Sequence, residues 1–435
     1  MPRLRLPPVT GLAVGLLVLC GSAFGVVTVD LVAADEADAA VKENPGTAMR
    51  ISGDNRFQTA AAIAALVEDP LEEIILVGAE EPATAMVAAP LAVRLAAPVL
   101  LSGHQQLPEA TLAIIADARP SRATLVGDLS HIGEEVRAEL EALGVAVRRI
   151  GGPDALATAV AIAVAMDPAP RGEVYLAAAH PIGSAEGWQH TLVAATLAAD
   201  AGVPLLLTDA DELSGVTHEA LVQLRPRRVV AVGDTEVLAT AVTRAISREG
   251  IAVDRLRGSA ERIAADQAHD REPRRSGPVF VSSRTSFLDS LVLPAVVARS
   301  GGSLVLIDGV DPRDPGFAAL SQLQLMSSQP SDDRQEHPTL LVIGGPGAVR
   351  PQVATAAART AGVRFVTTKA FLDLRSGGGD TLVLLAGSVL ILHLVVRFLK
   401  GVLLRRGPQG HDDQHGQGRD DRDRAQPSQG QQRTA

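Results

Sequence analysis

The stretch RISGDNRFQTA, at positions 50 to 60, holds three residues whose types and spacing could do chemistry: Asp54, Arg56 and Thr59. An arginine at a helix start works against the helix dipole. Its planar guanidinium is a forked donor suited to a carboxylate or a phosphate, supplied by a ligand or by another module of the chain. A purely local role is also open. Asp54 or Asn55 can cap the following helix, with Thr59, Ala60 and Ala61 packed inward beneath it. The stretch returns twice in weaker form, as RIGGPDALATA from Arg149 and RLRGSAERIAA from Arg255.

Other chemistries find little support. The strand-to-helix turns RISGD, VGD and IGGPG could hold a phosphate on backbone N–H groups, but glycine also serves there simply as a turn former. No G-x-G-x-x-G and no P-loop lysine accompanies them. No G-x-S-x-G elbow and no H-E-x-x-H occurs. His104, His131, His180, His190, His218 and His269 do not recur at equivalent places. Asp209 and Asp211 lie close in sequence without marking an acid/base pair. The single cysteine, Cys20, excludes an intrachain disulfide and a cysteine zinc site. A net charge of −10 and an aromatic content of 2% argue against a nucleic-acid partner. No catalytic site, cofactor or metal is expected.

The elements that must position these residues repeat with the phrase. Gly53, Gly152 and Gly258 mark it at intervals of roughly a hundred residues. The first interval reads EEIILVG as a strand, AMVAAPLAVRLA as a helix and PVLLS as a strand. A helix from about Pro108 to Ala118 then leads to the strand ATLVGD, the amphipathic helix IGEEVRAELEALG and the strand VAVRRI. The later intervals give EVYLAAA, VPLLLTD and RRVVAVGD, then PVFVSS, SLVLIDG and TLLVIGG, alternating with helices. Short, uniformly apolar strands between helices imply parallel sheets covered on both faces. The expected fold class is α/β in three tandem modules, at 41–148, 149–254 and 255–370.

Two apolar segments flank the modules. Residues 1–40 have Arg3 and Arg5, an apolar run and small residues, which fits a signal peptide or a retained signal anchor. After a linker at 371–380, the run TLVLLAGSVLILHLVVRFLK at 381–400 is expected to span a membrane, with Lys400, Arg405 and Arg406 on the cytoplasmic side. Residues 401–435 read as a disordered cytoplasmic tail. Both flanks place the modules outside.

RISGDNRFQTA, with the A-x-A-A-P-L-A helix, the P-V-L-L strand, L-P-x-A-T and L-V-G, resembles the type 2 cell-wall-binding repeat, in three copies from 48 to about 370. The resemblance implies Rossmann-like modules around a pseudo-threefold axis and noncovalent binding to an anionic polymer of Gram-positive cell walls. A Phe-x-Asp-Ala-Leu-like stretch of that family stands only in the third copy, as Phe287 to Leu291, and makes Asp289 a candidate. The family's arginine is Arg56 in the first copy, is replaced by Ala155 in the second, and reappears one residue late as Arg262. Asp54, Arg56, Thr59, Arg262 and Asp289 are therefore the expected polymer-binding residues. The expectation is a membrane-anchored bacterial surface protein, not an enzyme, whose ectodomain faces the wall and binds its anionic polymer. The alternatives are a surface scaffold that has lost polymer binding and a wall-polymer-modifying enzyme. Protein partners are not readable.

Overall fold

In the computed structural model the described residues are 47–66, 71–166, 172–179, 187–270, 277–286, 288–311, 316–326 and 340–365. The expected leader at 1–40, the linker at 371–380, the span at 381–400 and the tail lie outside them. Among the described residues no helix is long and apolar enough to cross a membrane.

The chain opens with β1 (Thr47–Ile51), α1 (Arg56–Ala64), β2 (Glu73–Gly78), α2 (Pro82–Val87), α3 (Ala89–Arg94), β3 (Val99–Ser102), α4 (Glu109–Ala118), β4 (Arg122–Val126), α5 (Glu134–Ala142) and β5 (Ala146–Ile150). It continues with α6 (Ala155–Ala165), β6 (Glu173–Ala178), α7 (Trp188–Ala201), β7 (Leu205–Thr208), α8 (Gly215–Leu224), β8 (Arg228–Val232), α9 (Thr240–Arg248) and β9 (Ala252–Leu256). The last stretch has α10 (Ala260–Asp270), β10 (Val279–Ser283), α11 (Leu293–Arg299), β11 (Ser303–Ile307), α12 (Gly316–Met326), β12 (Leu340–Ile343), α13 (Pro351–Thr360) and β13 (Arg364–Phe365).

These strands form three sheets, ordered β3-β2-β4-β5, β7-β6-β8-β9 and β11-β10-β12-β1-β13, and all pairings are parallel. The three-sheet α/β fold is the one expected from the apolar strand runs. The first strand does not join the first sheet, however. β1 lies between β12 and β13 in the third, with Met49 opposite Leu341 and Thr47 opposite Arg364. In the same way β5 and β9 complete the first and second sheets although each leads into the next copy of the phrase. The sequence divisions at 148/149 and 254/255 thus fall inside β5 and β9. A parallel strand must find its partner across a long connection, so the phrase belongs to two modules at once: its strand to one sheet, its helix to the next.

The sheets are buried on both faces. Ile75, Val77, Val99 and Leu101 face a core shared by all three modules, while Ile74, Leu76, Leu100 and Leu125 face an outer core of the first module alone. Val174, Leu176 and Leu206 do the same for the second, and Val281, Val305, Val342 and Ala48 for the third. In the shared core α3, α7 and α11 pack on one another. Their buried alanines, among them Ala92, Ala194, Ala195, Ala198 and Ala295, let helix axes come close without aromatic filler. This accounts for a large core in a chain so poor in aromatic residues.

Candidate functional site

The first arginine of the phrase recurs in all three copies, and each copy uses it alike. Arg50 donates to the carbonyls of Gly344 (2.5 Å) and Val349 (2.8 Å). Arg149 donates to those of Gly127 (3.2 Å) and Asp128 (3.1 Å). Arg255 donates to those of Gly233 (2.8 Å), Asp234 (3.1 Å) and Leu238 (2.8 Å). The same glycines donate their N–H groups back to Ile51, Ile150 and Leu256, each at 2.9 Å. Gly127, Gly233 and Gly344 have φ of 112°, 109° and 98°, a region that side chains disfavour. The V-G-D and I-G-G turns are therefore latches that receive the arginine of the next phrase. Sequence reasoning passed over this arginine although its recurrence was the signal.

Past the latch, Gly53 donates to Thr59 Oγ1 at 3.0 Å and Gly152 to Thr158 Oγ1 at 3.1 Å. A Cβ on Gly53 would stand 2.2 Å from the Gln58 Cβ, so the turn closes only around glycine. Asn55, not Asp54, caps α1, accepting from Phe57 and Gln58 at 3.0 Å each. Asp54 N–H is taken by Gln58 Oε1 at 2.7 Å. Thr59, Ala60 and Ala61 are buried beneath the helix.

Between this turn and the third sheet lies an open cleft of about 270 Å³. It sits outside the carboxyl ends of β10 and β12, where the strand order reverses, a place where open α/β sheets commonly hold ligands. Asp54, Asn55 and Arg56 line one side; Ser286, Leu288 and Asp289 line another, with Gly345, Gly347 and Ala348 opposite. Asp289 accepts hydrogen bonds from Thr59 and from the Gly345 N–H, and Arg50 lies near enough to attract its charge. Burial nevertheless prevails and pushes its carboxyl above the usual range. Burial likewise lowers Arg50 from its ordinary value, with Asp289 opposing.

The structure thus brings together Asp54, Arg56, Thr59 and Asp289, residues from the first and third copies. Arg56 also donates to the Ala79 carbonyl at 2.7 Å and lies 4.0 Å from Glu80. These partners belong to its own module, so the forked donor ties α1 to the loop after β2.

Arg262 is placed elsewhere. The third copy is one residue shorter before its helix, so Arg262 holds the position of Gln58 rather than that of Arg56, and Ile263 holds that of Thr59. It is largely exposed and pairs with Asp266, one helical turn on, at 3.5 Å. The reading of Arg262 as a displaced copy of Arg56 is corrected by this register.

The other two junctions carry different groups. One residue before the buried hydroxyls Ser290, Thr191 and Thr84 stand Asp289, His190 and Ala83. His190 Nε2 lies 3.1 Å from the Gly258 carbonyl. Four residues past each latch glycine stand Ala348, His131 and Val237. His131 bridges Glu81 at 2.8 Å and Asp128 at 2.9 Å. A small Ala348, with glycines beside it, leaves open at the third sheet the space that His131 occupies at the first. Among the described residues no cluster of three or more histidine, cysteine and acidic side chains could hold a metal.

A family model described as cell wall binding domain 2 matches residues 50–137 and 149–243. The chain is 24% identical over 262 residues to the N-acetylmuramoyl-L-alanine amidase LytC of Bacillus subtilis (strain 168), covering 60% of this chain and 50% of the amidase. It is 23% identical over 265 residues to the amidase enhancer of the same strain, covering 61% of this chain and 35% of that protein. The chain therefore spans half or less of the length of these curated relatives. Among solved structures, Cwp6 from Clostridium difficile superposes with a TM-score of 0.62 at 20% identity, over 78% of this chain and 52% of Cwp6. Cwp8 from the same organism gives 0.59 at 21%, over 72% of this chain and 51% of Cwp8. Those likenesses concern the fold. Two copies of the repeat thus match the cell wall binding domain 2 model, and the third sheet, closed by the first strand, repeats their strand order.

Proposed function

We propose that this is a membrane-anchored bacterial surface protein whose three modules, in a pseudo-threefold arrangement, face the cell wall and bind its anionic polymer without catalysing a reaction. The observation that carries the reading is the cleft at the junction of the first and third copies, in a chain that matches a family model named for wall binding. Asp54, Arg56 and Asp289 line it, and Thr59 holds Asp289 in place. The differing groups at the other two junctions support one principal site rather than three equal ones. The apolar run at 381–400 and the charges after it support anchoring in the membrane with the modules outside.

The described residues of the stretch 41–375 fall within one compact unit. Purified as such, that stretch should sediment with isolated cell walls at low salt and stay in solution once anionic polymers have been extracted from those walls. Failure to sediment with untreated walls would overturn the proposal.

A further inference from the structure

We propose that the cleft takes one neutral sugar unit of the wall polymer, held by its hydroxyls between the Asp54 and Asp289 carboxylates, while the polymer's anionic groups stay outside. The inference rests on the wall-binding reading and says which part of the polymer enters.

At the helix start that borders the cleft, the N–H groups of Gly53, Asp54, Phe57, Gln58 and Thr59 are already engaged. Asn55 Oδ1 accepts from Phe57 and Gln58, Gln58 Oε1 from Asp54, Thr59 Oγ1 from Gly53, and the Asn55 carbonyl from Thr59. A helix N-terminus binds phosphate through such groups, and here these five are spent within the turn. The lining guanidinium, Arg56, is already turned to the Ala79 carbonyl and to Glu80. Two of the three charged residues lining the cleft are carboxylates, Asp54 and Asp289. A phosphate or carboxylate entering between them would meet like charge at short range.

Hydroxyls suit the same groups. A carboxylate only accepts hydrogen bonds and has room for several, so a neighbouring pair of sugar hydroxyls can donate to one. Asp289 keeps its remaining acceptor capacity beside the bonds from Thr59 and Gly345. Asn55 can donate through its Nδ2 and Ser286 can donate or accept across the opening, and Leu288, 38% exposed, offers apolar surface to the C–H face of a ring. The volume, about 270 Å³, is small beside the ~300–1,000 Å³ of pockets for drug-sized ligands. One ring fits better than a run of them.

The test uses the full chain bound to isolated walls. Two competitors are added: intact anionic wall polymer, and the neutral oligosaccharides released from it by hydrofluoric acid, which cleaves its phosphate esters. The expected result is displacement by the neutral oligosaccharides, and about ten-fold weaker oligosaccharide binding by Asp54→Asn. If only intact polymer competes, and Asp54→Asn tightens its binding by lifting a repulsion, the inference fails while wall binding stands. Oligosaccharide binding unchanged in Asp54→Asn would place the sugar outside this cleft and also overturn the inference. Absence of wall binding by the unmodified chain would remove both.

Discussion

Arg50 and Gly344, 294 residues apart in the chain, are joined by a 2.5 Å hydrogen bond from the guanidinium to the carbonyl. The bond closes the assembly, because Arg50 belongs to the first strand and Gly344 to the turn after β12. Its counterparts at Arg149 and Arg255 join neighbours in sequence; this one joins the beginning of the described chain to its end.

Replacing Arg50 by alanine should therefore act on closure rather than on one module. Loss of a cationic donor from two carbonyls, partly buried, should cost about 3 kcal/mol. Chemical denaturation measures the total. Amide hydrogen exchange should show β1 and β12 losing protection before β2 and β6. Equal loss in all three sheets would contradict the latch.

Asp289→Asn should separate stability from binding. The carboxyl of Asp289 is raised above its ordinary value of 3.8, chiefly by burial, so its ionisation works against the fold. The sign follows from linkage: a raised folded pKa favours the native state at low pH and loses that advantage as pH rises through it. At neutral pH the asparagine variant should stay within about 1 kcal/mol of the parent. As the pH drops towards that range the parent should gain on it. Wall binding should fall at neutral pH despite intact melting behaviour, which a packing defect would not produce.

Arg56 and Arg262 form a second contrast. Arg56→Ala removes the donor to the Ala79 carbonyl and a lining group of the cleft, and should weaken wall sedimentation with a modest loss of stability, about 1 kcal/mol. Arg262→Ala removes an exposed side chain whose partner is Asp266, and should leave both sedimentation and melting temperature unchanged. Equal effects of the two substitutions would speak against the register assigned to the third copy.

Acid should loosen the first sheet at the amino-terminal end of its strands. Glu73, 5% exposed, is desolvated, but Thr124, Arg122 and Arg148 hold its carboxyl below its ordinary 4.5. A lowered folded pKa gives stability that is complete above 4.5 and is lost as the pH falls through the folded value. Glu73→Gln should cost about 1 kcal/mol at neutral pH, and the difference from the parent should shrink in acid, as the pH falls below 4.5 through the folded value. Urea denaturation at neutral and at acid pH reads it directly.

The sequence by itself determined the elements and their threefold return. Apolar runs such as IILV and VLLS dictate buried strands, and the glycine of the phrase with the threonine six residues on dictates a turn into a capped helix, since both depend on near neighbours. It also carried the recurring Arg50, Arg149 and Arg255, although not what they bind. Only the tertiary structure decided that β1 pairs with β12, because parallel strands of similar apolar character are interchangeable until the whole core is assembled. That pairing sets Asp289 of the third copy against Asp54 and Thr59 of the first. It also made Ala348, unremarkable in sequence, the wall of a cleft, and it put Arg262 in Gln58's place. A one-residue shift on a helix turns a side chain by about 100°, and where that helix starts is settled by the cap and the sheet beneath it.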